Sequence, residues 1–441
     1  MKIIEHQGWG GTHKSKSECY EINEFNLDIR RITKSGLPIG LGRSYGDSSI
    51  NSSGAYYLLA NKKNIKIDTL NKTAKCEAGA TIGDLERSAI KLGLFPPTVP
   101  GTEFVTIGGA IASNIHGKSH HIAGSFGNSV TEITIFTSDG KTLKLSPIGT
   151  SKDEFWATVG GMGLTGVITE ATIKLKEVET AYVQVDEQRA NNLSELMELI
   201  REFDKKYLYT VAWIDLSGEF SGRGKVLGAN HATLEQLPKK FKKHPLDIDK
   251  PKKFSIPKIF SSNFINIFTV SIFNKVWFNK PLKSGVFKIR SFLHPLDSVK
   301  YWNRVYGKNG LIQYQLQISF ENEFFLEEVL AELKKNNIPS FLGVLKKFGN
   351  SDNSFLGFPA PGWTLSLDIP SEYKYNLEFL DRLTQRLCQL SGRLYLTKDS
   401  VLKEIDFNSM YPKKDEWKKI KNKLDPHNYW QSDQGLRLGL C

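Results

Sequence analysis

The sequence predicts an α+β chain of two domains with a C-terminal segment that returns to the first. Three observations carry this reading. Residues 20–180 are rich in glycine, threonine and β-branched residues, with short strand-like runs between turns. From about Tyr182, amphipathic helical patterns alternate with strands. Residues 397–441 turn polar. The chain has 441 residues, enough for two or three domains with sizeable cores. The expected boundaries are 1–180, 181–396 and 397–441.

In the first region LPIGLG (Leu37–Gly42) and YYLLAN (Tyr56–Asn61) read as strands. TIGDLERSAIKLG (Thr81–Gly93) reads as a helix. Thr81 can cap it, Asp84 suits its positive N-terminus, and Gly93 stops it. VTEITIFTSDGKTLKLS (Val130–Ser146) reads as a hairpin turning at Asp139-Gly140. In the second region LSELMELIREFDKKY, EEVLAELKKNN and NLEFLDRLTQRLCQL read as helices. TVAWIDL, IQYQLQISF and WTLSLDI read as strands between them. The expected architecture is an antiparallel sheet with helices on one face.

Composition narrows the class. Hydrophobic residues make up 40% and charged residues 24%, an ordinary globular balance. The four cysteines, Cys19, Cys76, Cys388 and Cys441, lie far apart, which excludes a zinc knuckle and gives no disulfide framework. No long apolar run follows Lys2, so no secretory leader is read and a cytoplasmic chain is expected. The net charge of +12 suits anionic lipid or phosphorylated substrates. Nucleic acid is set aside, because RNP-type and zinc-finger spacings are absent. Much of the positive charge lies between Lys239 and Arg290, around the uncharged run IFSSNFINIFTVSIFN (Ile259–Asn274). That run is shorter than the roughly 20 residues that span a bilayer. The plainer reading is a core helix or covered loop; the sharper one is a segment lying on a membrane.

GGMGLTG (Gly160–Gly166) contains the G-x-G-x-x-G spacing of a dinucleotide-binding turn. The context fails, because VITEATIKL follows as a strand and a Rossmann turn needs a helix there. Two other pieces, GLGRSYGDSS (Gly40–Ser49) and PGTEFVTIGGAIASNIHGKSHHIAGSFGN (Pro100–Asn128), combine glycines with hydroxyls. Backbone N–H groups exposed this way can cradle a pyrophosphate.

The pieces GLGRSYGD, PGT-x₅-GGAIA, NIHGKSHH, AGSFGN and FWATVGGMGLTG resemble the FAD-binding domain of the p-cresol methylhydroxylase/vanillyl-alcohol oxidase superfamily. Through VAWIDL, GRGKVLGANHA, YGKNGLIQYQ, GFPAPGW, GRLYLTKDS and DEWKKIKNKLDP, nearly the whole chain is similar to the decaprenylphosphoryl-ribose 2′-oxidase family. The resemblance implies a two-domain α+β flavoprotein with an antiparallel-sheet substrate (cap) domain. It implies FAD contacts from Gly40, Leu41, Gly42, Arg43, Ser44, Tyr45, Gly46 and Asp47 in the first loop. The second loop would add Gly101, Thr106, Gly108 and Gly109, then Ser113, Asn114, Ile115 and His116; Ile168 and Tyr395 would complete the set. Arg43 stands where many relatives carry the histidine that bonds the flavin, so non-covalent FAD is expected.

Oxidising a sugar alcohol needs a base within hydrogen-bond reach of the hydroxyl. The resemblance places Lys398 in that role, with Tyr45 and His116 beside it. A metal role for His116, His120 and His121 fails, because Gly117 interrupts and no carboxylate or cysteine joins them. Gln313 and Gln315 alternate on one strand and share a face, which suits sugar hydroxyls or, more plainly, an outer sheet face. Lys346 is a candidate for a substrate phosphate, and Ser366 for a pocket wall. After PGW the family pattern has Asn-x-Cys, and here it is Thr364-Leu365-Ser366.

The implied activity is oxidation of the ribose 2′-hydroxyl of a polyprenyl-phosphoryl ribose, the first half of an epimerisation to an arabinose donor. The implied partners are a short-chain dehydrogenase/reductase and an anionic membrane surface at the inner face of the cell membrane. The rivals are an aldonolactone or alditol oxidase acting on a free sugar, and a flavin-free lipid- or nucleic-acid-binding module.

Overall fold

The computed structural model describes residues 2–22, 35–59, 62–248, 254–257, 265–371 and 377–441. Residues 259–264 of the apolar run, and residues 249–253 and 258 of the lysine-rich stretch before it, lie outside these.

Strands β1 (Lys2–Gln7), β2 (Lys14–Glu21), β3 (Gly36–Ile39) and β4 (Ala55–Leu58) form a mixed sheet in the order β1-β2-β4-β3. The next strands are β5 (Ile65–Asp68), β6 (Thr73–Glu77), β7 (Leu94–Phe95), β8 (Val130–Phe136), β9 (Thr142–Leu145), β10 (Val167–Lys174) and β11 (Lys176–Glu177). Five of them make an antiparallel sheet, β5-β6-β10-β8-β9, while β7 pairs with β11. The hairpin β8–β9 turns through Gly140 at φ 84°. Helix α1 (Ile82–Ile90) packs its apolar side on the five-stranded sheet. It starts with a capping box: Thr81 accepts from the Asp84 N–H at 3.1 Å, and Asp84 accepts from the Thr81 N–H at 3.0 Å. The short helices α2 (Ile107–Ala112) and α3 (Lys152–Thr158) flank the glycine loops. GGMGLTG is a turn leading into β10, with Gly160, Met162 and Gly163 all at positive φ.

The second region is one antiparallel sheet of eight strands. In chain order they are β12 (Tyr182–Ala190), β13 (Tyr209–Ile214), β14 (Gly224–His231), β15 (Ser284–Lys288), β16 (Leu311–Ile318), β17 (Gly343–Phe348), β18 (Gly362–Pro370) and β19 (Arg393–Leu394). Their spatial order is β15-β12-β14-β13-β17-β18-β16-β19. All eight residues of β16 are buried, so the sheet is covered on both faces. Ala212, Ile214, Leu345, Leu365, Leu367, Tyr314 and Leu316 face one side. There they meet helices α4 (Leu193–Lys206), α6 (Phe325–Lys335) and α7 (Leu377–Gln389). Each Leu, Ile or Phe buried this way contributes about 1.5–3 kcal/mol. The alternate residues face the other side, where the first region lies.

Helix α5 (Ile267–Asn279) contains the second half of the apolar run, and it is not a core helix. Of its residues only Val270 and Asn274 are buried. Among the described residues no helix is long and apolar enough to cross a membrane.

The C-terminal residues clasp the first region. Helix α8 (Lys414–Leu424) packs on α3, and Trp417 donates to the Ala157 carbonyl at 2.8 Å. Tyr57 and Tyr429 share a hydrogen bond at 2.6 Å, and Gly36 bridges to Trp430. At the end, Arg437 of α9 (Asp433–Arg437) grips Asp47 through two nitrogens, at 2.7 and 2.8 Å, and Asp399 at 2.8 Å. Both carboxylates are buried. Removing one partner of a buried ion pair costs about 3–5 kcal/mol. Arg437→Ala is therefore expected to lower the thermal midpoint by several degrees, read by circular dichroism. An unchanged midpoint means the clasp contributes nothing.

Candidate active site

A cavity of about 860 Å³ lies between the glycine loops of the first region and the polar face of the eight-stranded sheet. That is near the upper end for small-molecule sites, roughly 300–1,000 Å³. The loop side supplies Gly40 to Tyr45, Gly101, Thr106, Gly108, Gly109, Ser113, Ile115, His116 and Ile168. The sheet side supplies Gln313, Gln315, Lys346 and Ser366, and the returning chain supplies Tyr395 and Lys398.

Three of the expected cofactor residues stand outside the lining. Asp47 is turned away and holds Arg437. Gly46 is where the chain passes Asp399, and a Cβ there would sit 1.8 Å from the Asp399 carbonyl oxygen. Its glycine allows this close approach. Asn114 is buried at φ 40°, donates to Asp352 and Ser354, and accepts from the Gly127 N–H at 3.0 Å. It ties loops together.

The loop side fits a bound dinucleotide. Among the described residues no acceptor takes up the backbone N–H groups of Leu41, Gly42, Arg43 or Ser44. Such a row of free donors suits a pyrophosphate. Gly101 is among the lining residues, and a Cβ on it would meet no atom within 4 Å. The Arg43 guanidinium lies over the Trp9 ring at 4.1 Å, with its buried Nε unpartnered. It is a cation held ready for an anion, rather than a surface salt bridge.

The chemistry gathers where loop, sheet and returning chain meet. Lys398 lies with its Nζ 3.7 Å from the Tyr45 ring centroid. Its position is fixed by the backbone: Tyr45 N–H donates to the Thr397 carbonyl at 3.0 Å, and Lys398 N–H to that of Tyr395 at 2.9 Å. Burial pushes the Lys398 amine down from the ordinary lysine range, and nearby Asp368 opposes this. Asp368 is itself fully buried and accepts from Gln313 at 2.5 Å and from the Tyr306 hydroxyl at 3.4 Å. Burial pushes its carboxyl up.

A second chain of hydrogen bonds runs through His116, and it has one consistent polarity. The Thr364 hydroxyl donates to the Leu316 carbonyl at 2.8 Å. Its oxygen is therefore free to accept from Gln315 Nε2 at 3.2 Å. The second hydrogen of that amide points at His116 Nε2, also 3.2 Å away. His116 is half-buried on the cavity wall, and desolvation, then the Lys346 charge, holds its pKa far below the usual value. A neutral imidazole that accepts at Nε2 carries its proton on Nδ1. Nδ1 lies 3.1 Å from Lys346 Nζ. Burial brings Lys346 down to about 7 and Lys118 down to about 8.

Lys118 and Asp368 were not singled out in the sequence. Asp368 lies two residues beyond Ser366 on β18, so the alternation that links Gln313 with Gln315 also reaches it. Lys118 lies two residues beyond His116 and donates to the Leu293 carbonyl at 2.8 Å. His120 is buried against Phe348, and His121 bonds the Tyr207 carbonyl at 2.9 Å. Among the described residues no cluster suited to a metal ion exists.

This arrangement defines an FAD-binding oxidoreductase: residues 29–146 match the FAD binding domain family. The chain is 36% identical, over 98% of its length and 97% of the relative's, to decaprenylphosphoryl-beta-D-ribose oxidase of Mycolicibacterium smegmatis. It therefore belongs to the decaprenylphosphoryl-β-D-ribose oxidase family. An uncharacterized protein of the mprA 5′ region in Streptomyces coelicolor is 30% identical over 82% of this chain and all of its own. L-gulonolactone oxidase of Mus musculus is 26% identical over 39% of this chain and 40% of its own.

The buried amines make stability depend on pH. An unfolded lysine titrates near 10.5, whereas folded Lys346 titrates near 7. Between these values the unfolded chain binds the extra proton, so stability rises with pH. The flavin-free protein is expected to gain on the order of 2 kcal/mol from Lys346 between about pH 7 and 9. Denaturant unfolding across that range checks this, and Lys346→Met should remove that share of the rise while the other depressed lysines keep theirs.

Proposed function

We propose that this chain uses non-covalently bound FAD to oxidise the 2′-hydroxyl of a polyprenyl-phosphoryl ribose to the 2-keto sugar. A short-chain dehydrogenase/reductase would complete the epimerisation to an arabinose donor for cell-wall synthesis, with both enzymes at the inner face of the membrane. The observation that carries the reading is the half-buried Lys398 amine. It lies against Tyr45 in the same cavity as the pyrophosphate-ready loop, in a chain that matches a relative named for this activity end to end.

FAD, when bound, supplies the hydride acceptor. The chain's own residues do the rest. Lys398, lowered by burial, takes the hydroxyl proton as the C2–H bond gives up its hydride. Gln313 and Gln315 orient the ribose from the sheet face. Lys346 takes up a proton and so meets the phosphate as a cation; the anion supplies the charge that burial denies it. The non-covalent link is supported by Arg43 in the first loop and by the engagement of both His116 nitrogens. The partial likeness to L-gulonolactone oxidase keeps a free-sugar oxidase as the second reading. Turnover of soluble lactones, without turnover of prenyl-phosphoryl ribose, would establish it instead.

Acid precipitation of the yellow protein should leave FAD in the supernatant, and flavin in the pellet contradicts the non-covalent link. Lys398→Ala should lower kcat about 10²–10⁴-fold with flavin content unchanged; retained activity removes Lys398 from the mechanism. A third outcome follows from Asp368, whose charge raises the Lys398 pKa. Asp368→Asn should shift the acidic limb of the kcat/KM profile to lower pH. A shift to higher pH would mean that Lys398 is not the titrating group.

A further inference from the structure

Helix α5 presents an apolar stripe that the described residues leave exposed. Asn266 caps the helix, accepting from the Phe268 and Thr269 N–H groups at 3.0 Å. One side is pinned down: Val270 is buried, and the Asn274 amide donates to Asp215 at 2.7 Å and to Ser217 at 2.9 Å. Those two residues are four apart, so the opposite side is fixed as well. It carries Phe268, Ile272 and Val276, again four apart, at 70%, 50% and 63% exposure. A solvent-facing helix side is ordinarily polar.

The charge along this stretch of sequence has one sign. No acidic residue occurs from Ile265 to Leu296, while Lys275, Lys280 and Lys283 are exposed. The stripe also adjoins the cavity. Phe273 and Trp277, on the flank of α5, line the cavity with Lys283, Lys300 and Tyr301. Phe273 packs on Phe341 at 4.6 Å between ring centroids. The exposed members of this group mark where the cavity opens beside the helix.

We propose that α5 is a docking element that lies flat in the surface of an anionic bilayer. Phe268, Ile272 and Val276 enter the acyl boundary, and the lysines meet the head groups. A protein partner fits less well: a stable interface takes about 20–30 residues a side, and this stripe is three side chains with lysines beside them in sequence. Docked this way, the cavity opens against lipid, so a lipid-linked sugar enters without leaving the membrane. That last consequence rests on the function proposed above; the docking does not.

Flotation of the FAD-loaded full chain with vesicles tests it. Binding is expected to equimolar phosphatidylcholine and phosphatidylglycerol, and not to phosphatidylcholine alone. The triple variant Phe268→Ser, Ile272→Ser, Val276→Ser should bind the anionic vesicles roughly 100-fold more weakly, with an unchanged flavin spectrum and thermal midpoint. Lys275→Glu with Lys280→Glu should also weaken binding. A wild type that stays off anionic vesicles, or a triple variant that floats like the wild type, overturns the proposal. So does light scattering that finds a wild-type dimer and a monomeric triple variant with vesicle binding intact, since the stripe would then join two copies. Vesicle binding without turnover of a prenyl-phosphoryl ribose leaves the docking standing and removes the substrate reading.

Discussion

The site depends on the alternation of side chains along the eight-stranded sheet. Every second residue of β16, β17 and β18 points into the helical layer and closes the largest apolar cluster. Those between them point at the glycine loops. A sheet covered on both sides normally carries apolar residues on both. Here the second side carries Gln313, Gln315, Lys346, Thr364 and Asp368, and burial sets its cost and its chemistry together. Polar groups withdrawn from water must find partners or change protonation. The glutamines find Asp368, Thr364 and His116. The lysines shift toward the free amine.

The loop side is held to this face by a few close approaches. Gly46 lets the first loop lie directly on the chain at Asp399, and that contact brings Tyr45 to Lys398. Asp399 accepts from the N–H groups of Val401 and Leu402 and from Arg437. Asn114 fastens the next loop to Asp352 and Ser354. These residues sit inside the motifs that resemble a cofactor-binding pattern, yet they work by positioning the residues around them.

Much of the architecture was legible because it rests on local rules. The hairpin at Asp139-Gly140, the capping box at Thr81 and the strand after GGMGLTG follow from neighbours in sequence. The shared face of Gln313 and Gln315 follows from strand periodicity. What was not legible depends on partners far along the chain. Asp47 is read by resemblance as a cofactor contact, and its pairing with Arg437 has no local signal in the sequence. The run ending at Asn274 reads as a core helix on composition, but the pairing of Asn274 with Asp215 and Ser217 decides which side faces out. Lys118 shows no signal beyond its spacing from His116, because its depressed pKa comes from burial that only the assembled fold creates.

The clasp between Asp47 and Arg437 joins residues 390 positions apart. At a synthesis rate of about 5–20 residues per second, the two are made roughly 20–80 s apart. For that interval the first loop exists without the contacts that seat it, and Lys398 itself has yet to be made for most of it. The nascent chain can therefore fold its early sheets on the ribosome, while the reactive amine is seated only once nearly the whole chain has emerged. A product truncated before Arg437 would carry the glycine loops but lack the lock. The order of synthesis thus delays assembly of a competent site until the protein is close to finished.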